Sequence, residues 1–390
     1  MIRGLKYRLY PNPEQEVLLA KAFGCARHSY NWSIEQRRTA YANGEKTPSR
    51  FDLNVRMTQH KRELPWLSYV SDWVLKEAIA DAVRAYDNFF AHRAKFPRFK
   101  SKRDSEQSAR WRQPTHKGKN HVMIPKVGVM RFREHRPVEG TIKSVTITKS
   151  SSGRYHVSFL VDDGVDCVPK PDVVTSSVGV DVGIADFVTL STGEKVANPR
   201  LSKAREGRIK GLQRKLTRQV KGSNRYKETK RKLAREHERL ACERRAFLHE
   251  LSTRLVRENQ AIAVEDLNVS GMLRNHSLAG AISDASWGEF FRMLEYKCEW
   301  YGVHLMKCGR FEPTSKTCSE CGHRMGRMPL SVRSWVCPEC GTIHDRDVNA
   351  AKNILSAASV EYGRGGQVSP RLQQRGTARR SVKPPASAVG

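Results

Sequence analysis

Asp181, Glu265 and Asp347 lie far apart in the chain, yet each sits in a setting that suits a single active site. Asp181 lies in Val178-Gly179-Val180-Asp181-Val182-Gly183-Ile184, a strand in which Gly179 and Gly183 allow a neighbouring segment to approach closely. Glu265 ends the apolar run Ala261-Ile262-Ala263-Val264, where a carboxylate is costly unless it is paired or bound to a metal. Asp347 heads a helix whose apolar side includes Val348, Ala351 and Ile354. Cleaving a phosphodiester requires an activated water and a stabilised leaving oxygen, and two Mg²⁺ ions roughly 3.5–4 Å apart supply both. Magnesium takes hard oxygen ligands and keeps some of its waters, so a few carboxylates suffice. Asp345 competes with Asp347, because it is equally placed to cap the helix. Asp186 reads as a turn residue and Asp266 as solvent-facing.

Between the second and third acids lie Cys318-Ser319-Glu320-Cys321 and Cys337-Pro338-Glu339-Cys340. The spacing fits two knuckles that give four thiolates to one tetrahedral Zn²⁺. Gly322 and Gly341 follow the second cysteine of each pair, where a knuckle turn tolerates positive φ. Four sulfurs leave no position for water, so this zinc is structural. Cys25, Cys167, Cys242, Cys298 and Cys308 show no ligand spacing and read mostly as small buried apolar residues.

Several elements must position these groups. Leu5 to Leu9 alternates like a half-buried strand. Asn12-Pro13-Glu14-Gln15 carries a capping box and starts a helix that runs to about Ala42 and stops at Asn43-Gly44. Another begins after Ser71, with Val74, Leu75, Ala78, Ile79, Ala82, Val83, Tyr86, Phe89 and Phe90 expected on one buried face. Residues 11–95 therefore predict a helical bundle. Alternating runs at 122–124, 127–130, 141–147 and 155–160 predict a small β-barrel that the first strand joins, which makes the bundle an insertion. After a linker, strands are expected at 178–181, 187–190 and 194–196. A basic helical stretch over 201–258 breaks once at Gly222-Ser223-Asn224, with Leu233, Leu240, Phe247 and Leu251 as its packing seam. Trp287–Tyr301 is helical, and residues 358–390 read as a disordered tail.

The chain has 390 residues, enough for two or three domains, and a net charge of +30 from 70 Lys+Arg against 40 Asp+Glu. Such an excess points to a polyanionic partner, nucleic acid above all. Lys203 to Arg245 alone holds 17 Lys/Arg against five Asp/Glu. No apolar run approaches the ~20 residues that cross a bilayer, and the first residues lack a signal peptide's apolar stretch. These features predict an intracellular protein with no membrane partner.

These motifs together resemble the TnpB family, transposon-encoded RNA-guided DNA endonucleases related to the compact type V CRISPR effectors. The likeness spans about residues 1–357. It rests on Arg8-Leu9-Tyr10-Pro11-Asn12, Phe96-Pro97-Arg98-Phe99, Gly179–Ile184, Lys221-Gly222-Ser223-Asn224-Arg225-Tyr226, Phe247-Leu248-His249, Val264-Glu265-Asp266-Leu267, and the cysteine pairs running into Asp345-Arg346-Asp347-Val348-Asn349-Ala350-Ala351.

The resemblance implies an α/β multidomain fold. A wedge-type β-barrel (1–10 and 96–170) carries a helical recognition insertion (11–95). A RuvC-type, RNase H-like nuclease domain (171–357) follows, with a zinc ribbon at about 308–342. The resemblance favours Asp347 over Asp345, so that Asp181, Glu265 and Asp347 bind two Mg²⁺, while Cys318, Cys321, Cys337 and Cys340 bind one Zn²⁺. The implied partners are a guide RNA derived from the transposon end and double-stranded target DNA beside a short adjacent motif, with the protein a monomer on its RNA. Guide pairing leaves the protein to hold backbones rather than read sequence. Phe96, Arg98, Phe99, Lys100, Lys102 and Arg103 interleave rings with cations, which suits single strands or RNA, although core packing of the rings is an equal reading. Asp72, Lys76 and Glu77 are candidate readers of the adjacent motif, and Arg333 is a candidate phosphate contact or a plain surface arginine. A guided repressor that does not cut, or a transposase, are the alternatives. The three acids argue against the first, and the lack of a clear helix-turn-helix against the second.

Overall fold

A computed structural model describes residues 1–112, 115–116, 118–310, 312–329 and 331–364. They form two units: Met1–Asp166 with Gly211–Glu238, and Cys167–Lys210 with Arg239 onward.

The first unit opens with strand β1 (Ile2–Tyr10), then helices α1 (Pro13–Ala42), α2 (Arg50–Glu63) and α3 (Asp72–Phe90). Strands β2 (Glu106–Arg112), β3 (Thr115–His116), β4 (His121–Ile124), β5 (Gly128–Arg133), β6 (Thr141–Ser150) and β7 (Tyr155–Asp162) follow. The Asn12 carboxamide accepts from the Gln15 N–H, and the Gln15 side chain accepts from the Asn12 N–H, closing the expected box on α1. Asn43 caps its other end. Helix α2 went unforeseen because it buries only Leu53 and Met57; its clearest signal is the Ser49/Asp52 capping box. Strand β2 was also missed. Its charged residues mask an inward alternation that ends in Ala109 and Trp111.

The seven strands run β2-β6-β7-β1-β5-β4-β3, with β1 antiparallel to both β7 and β5. This is an open array rather than the closed barrel expected, since β2 and β3 end the row unpaired with each other among the described residues. One apolar core joins sheet and helices, with Tyr7, Trp111, Phe132 and Phe159 almost wholly buried. Phe90, expected on the buried face of α3, is exposed. The Phe132 ring centroid lies 5.2 Å from Tyr7 and 5.3 Å from Phe159.

In the second unit β8 (Ser177–Val182), β9 (Asp186–Leu190) and β10 (Lys195–Ala197) form an antiparallel meander. Helices α4 (Leu201–Thr217) and α5 (Asn224–Glu258), whose stretch Gly211–Glu238 belongs to the first unit, lead to β11 (Ala261–Glu265), which pairs parallel with β8. Short helices α6 (Val269–Met272) and α7 (Ala279–Ala285), then α8 (Trp287–Tyr301), precede β12 (His304–Cys308), parallel to β11. A hairpin of β13 (Ser334–Val336) and β14 (Ile343–Asp345) runs straight into α9 (Arg346–Arg364).

The five-stranded sheet, ordered β10-β9-β8-β11-β12, is covered on both faces. Alternation along β11 divides the packing. Ile262 and Val264 join the core with Leu248, Leu251 and Leu255 of α5 and Phe290 and Leu294 of α8. Ala261 and Ala263 face Ile354 and Ala358 of α9. The seam of α5 therefore shifts by one residue from the heptad expectation at this end: Leu248 is fully buried, while Phe247 is part-buried and sets its ring edge-on to Phe187 at 5.0 Å. Helix α9 continues to Arg364, seven residues into the stretch expected to be tail, because Ala358 still finds the sheet. Residues 365–390 lie outside the described residues. Among the described residues no helix is long and apolar enough to cross a membrane.

Candidate active site and cysteine cluster

Strand parity puts two of the acids on one side. Gly179 faces α9, so Asp181, two residues on, projects from the same face. Ala263 also faces α9, and Glu265 follows it by two. The parallel register runs from Ala261 opposite Ser177 to Val264 opposite Val180, one step short of Glu265 and Asp181. The third acid comes from the helix above. A Cβ on Gly179 would lie 2.0 Å from the Ala351 carbonyl oxygen, so only glycine lets α9 rest this close to β8. Going back one turn from Ala351 to Asp347 covers ~6 Å, and Gly179 to Asp181 covers ~6.6 Å along the strand. The two displacements match, which brings Asp347 over Asp181.

The electrostatics reflect this convergence. Asp181 is part-buried as a residue, but protein crowds its carboxyl group on most sides. Burial, then the Glu265 and Asp347 carboxylates, push its pKa well above the usual range, with Arg346 acting weakly the other way. Among the described residues neither Asp181 nor Glu265 has an ion-pair partner, and Asp347 has only a long contact of 3.5 Å to the exposed Arg333. Glu265 and Asp347 are thus near enough to act on the Asp181 carboxyl, although among the described residues only the four cysteines bring their ligand atoms within 4.8 Å of one another. Glu265 Oε1 accepts a 2.8 Å hydrogen bond from the Thr314 hydroxyl, a residue that sequence reasoning missed. A cleft of about 370 Å³ opens beside Glu265, with Arg292, Lys307 and Arg310 in its lining.

Asp345 has other work. Its Oδ1 accepts from the N–H groups of Asp347 (3.1 Å) and Val348 (3.0 Å), and its Oδ2 receives Lys195 Nζ at 2.7 Å. It is the helix cap. Asp186 begins β9, and Asp266 pairs with Arg310 at 2.6 Å.

The four cysteines come together, their sulfurs all within 4.8 Å of one another. Cys318 to Cys340 is 3.6 Å and Cys321 to Cys337 is 3.5 Å, close to the ~3.8 Å between sulfurs on a tetrahedral ion with 2.3 Å bonds. The knuckles repeat each other: Gly322 N–H donates to the Cys318 carbonyl and Gly341 N–H to that of Cys337, each at 2.9 Å, and both glycines have positive φ. Hydrogen bonding to Thr342 holds the Cys340 thiol down to about 6, which favours the thiolate a metal needs. His344, another residue missed in sequence, places Nε2 3.0 Å from Cys318 Sγ and packs on Trp335. Of the five remaining cysteines, Cys25, Cys298 and Cys308 are buried and Cys167 and Cys242 exposed.

One candidate reader of the adjacent motif, Glu77, lies otherwise than expected. Glu77 is buried and gathers Arg112 at 2.8 Å, Arg50 at 3.5 Å and Arg110 at 3.6 Å, so it cannot read a base edge. Asp72 is engaged by Lys61 at 2.6 Å. Phe96 packs edge-on to Tyr86 and Phe89, and the Arg38 guanidinium lies over both Phe96 and Phe99, yet both side chains stay exposed and neither joins the core.

Comparison with known proteins places this architecture. Residues 287–354, from α8 through the cysteines to Asp347, match the family model described as "Cas12f1-like, TNB domain". Residues 156–276, with Asp181 and Glu265, match "Probable transposase", and residues 1–46 match "Helix-turn-helix domain". In this structure that last span is a strand and one 30-residue helix. A Streptomyces pristinaespiralis protein named "Putative RNA-guided DNA endonuclease" is 41% identical over 98% of this chain and 95% of its own. "Putative RNA-guided DNA endonuclease InsQ" of Escherichia coli K12 is 31% identical over 94% and 95%. The chain belongs to the TnpB family of IS605-type elements. The fold is shared with the protein in a cryo-EM structure of a Cas12f1–sgRNA–target DNA complex, at a TM-score of 0.56 and 13% identity over 91% of this chain and 98% of that one.

Proposed function

We propose that this protein is an RNA-guided endonuclease that cuts double-stranded DNA. The carrying observation is that Asp181 and Glu265 project from one face of one sheet, that Asp347 comes from the helix packed on that face, and that among the described residues neither of the first two has an ion-pair partner. The names of its close relatives support the same reading. In this reading the three carboxylates hold two Mg²⁺ ions, which supply an activated water and a stabilised leaving oxygen when bound. Asp181 and Glu265 stand on neighbouring strands and fix the spacing of the site. Asp347, at the start of α9, closes it from above. Arg333, beside Asp347 and exposed, is positioned to meet a phosphate. The four cysteines hold one structural Zn²⁺ and so keep the loop that precedes Asp347 in shape.

The +30 charge and the Lys/Arg-rich stretch from Lys203 to Arg245 suit a guide RNA and its DNA heteroduplex, recognised through their backbones. We assign the sheet of the first unit as the wedge and residues 11–95 as a recognition insertion, acting as a monomer on RNA from the transposon end. A binder that never cuts would have no use for converging acids whose mutual repulsion must be offset.

The test is cleavage of a matched target by the protein with its co-purified RNA and Mg²⁺. Asp181→Ala, Glu265→Ala and Asp347→Ala should each abolish cutting and retain target binding. Binding without cutting by the unmodified protein would overturn the proposal in favour of a repressor.

A further inference from the structure

The segment from Pro313 to Ser319 lies between the two sites and touches both. The Thr314 hydroxyl reaches Glu265 at 2.8 Å, and Thr314 is buried. Its carbonyl oxygen accepts from Asn353 Nδ2 at 2.7 Å and from Asn349 Nδ2 at 3.4 Å. Three residues on, the Thr317 carbonyl accepts from the same two carboxamides, at 2.6 and 2.8 Å. Asn349 Oδ1 in turn accepts from the Ser319 N–H at 2.9 Å, inside the first cysteine knuckle. Asn349 is 1% exposed, so its carboxamide is committed to these bonds rather than shared with solvent. Two residues separate Asn349 from Asp347, and both belong to α9. One helix therefore carries the third acid and grips the segment that bonds to the second.

We infer that Thr314 is a positioning residue for Glu265, held in place by Asn349 and Asn353. The inference rests on the reading of Glu265 as a metal ligand. A glutamate at a strand end has three rotatable side-chain bonds, and ordering it costs rotamer freedom. A hydroxyl bonded to Oε1 fixes the carboxylate in advance and leaves Oε2 as the oxygen to offer a metal. Hydrogen-bond partners of this kind change metal affinity by about 10–100-fold when removed. The same bonds connect the cysteine knuckle to the acidic site through the backbone of 314–319 rather than through a shared ligand. Loosening the knuckle would loosen Thr314 and, with it, Glu265.

Mn²⁺ binding to the full chain freed of nucleic acid, followed by electron paramagnetic resonance, tests this without any cleavage readout. Asp347→Ala and Asp181→Asn serve as the reference for binding at the acidic site. Thr314→Val, which keeps shape and loses the hydroxyl, should weaken Mn²⁺ about 10–100-fold, and Thr314→Ser should restore it to within about threefold of the unmodified protein. Asn353→Ala, which leaves the hydroxyl in place, should weaken binding several-fold, and it carries the test alone if the valine variant does not fold. Zinc content of each variant should stay at one ion per chain. If the reference variants lose Mn²⁺ while Thr314→Val and Asn353→Ala keep it within twofold, Thr314 does not position Glu265. If the reference variants themselves bind Mn²⁺ normally, the acidic-site reading fails instead, and the Thr314 inference falls with it.

Discussion

Lys195 Nζ lies 2.7 Å from Asp345 Oδ2, and the other oxygen of that carboxylate caps the helix carrying Asp347. One acid of the Asp345/Asp347 pair is thereby spent on architecture, and its neighbour is the one the proposed site uses. Asp345→Ala should cost about 1 kcal/mol, the usual loss for an N-cap, seen as a few degrees in calorimetric Tm. Lys195→Met should cost less, because the pair is part-exposed. A larger loss from the lysine than from the aspartate would mean that the ion pair, not the cap, sets this helix end.

Gly179 is a contact rather than a hinge. Adding a methyl group drives it into the Ala351 backbone, which cannot yield as a flexible side chain would. Gly179→Ala should lose about 1–3 kcal/mol in urea unfolding and push α9 outward, separating Asp347 from Asp181. Target cutting should drop much further than stability does. Equal cutting rates for the two proteins would show that the helix need not sit so close.

Removing one sulfur should open the cysteine hairpin. Cys318→Ser is expected to lower zinc per chain, measured by plasma mass spectrometry, and to expose residues 318–340 to limited proteolysis. Cys242→Ser, at an exposed cysteine outside the cluster, should change neither. Full zinc occupancy in the first variant would remove Cys318 from the ligand set.

His156 predicts an acid-side loss of stability in the first unit. Burial first, and then Lys6, Arg8 and Arg154, hold its pKa down to about 4 against the opposing pull of Glu238. The unfolded chain therefore binds a proton near pH 6.5 that the folded chain refuses until about pH 4. The stabilisation is complete above pH 6.5 and declines as pH falls through the window to about 4, with a span on the order of 2–3 kcal/mol. Denaturant unfolding at stepped pH should show that slope, and His156→Gln should flatten it. An unchanged slope in the glutamine variant would place the acid sensitivity elsewhere.

Much of the site was legible in the sequence because its signals are local. Gly179, two residues before Asp181, announces a close approach; an apolar run ending in Glu265 announces a burdened strand end; paired Cys-x-x-Cys fixes a tetrahedron. Strand and helix ends followed for the same reason, as the capping box on α1 illustrates. What escaped depends on partners distant in the chain. Nothing near Thr314 indicates Glu265, and nothing near Lys195 indicates Asp345. Glu77 looked like a surface reader because the three arginines that bury it come from α2 and β2, both unforeseen. Strand β12 escaped notice because it is only five residues long and the polar His304 takes one of its inward positions.

The middle placement of β1 also bears on how the chain leaves the ribosome. Ile2–Tyr10 emerges first, yet one of its flanking strands, Tyr155–Asp162, is the last of that sheet to be synthesised. At about 5–20 residues per second the nascent segment spends on the order of ten to thirty seconds with open edges. Arg3, Lys6 and Arg8 stud it with positive charge throughout that interval, the usual guard against sticking to another nascent chain.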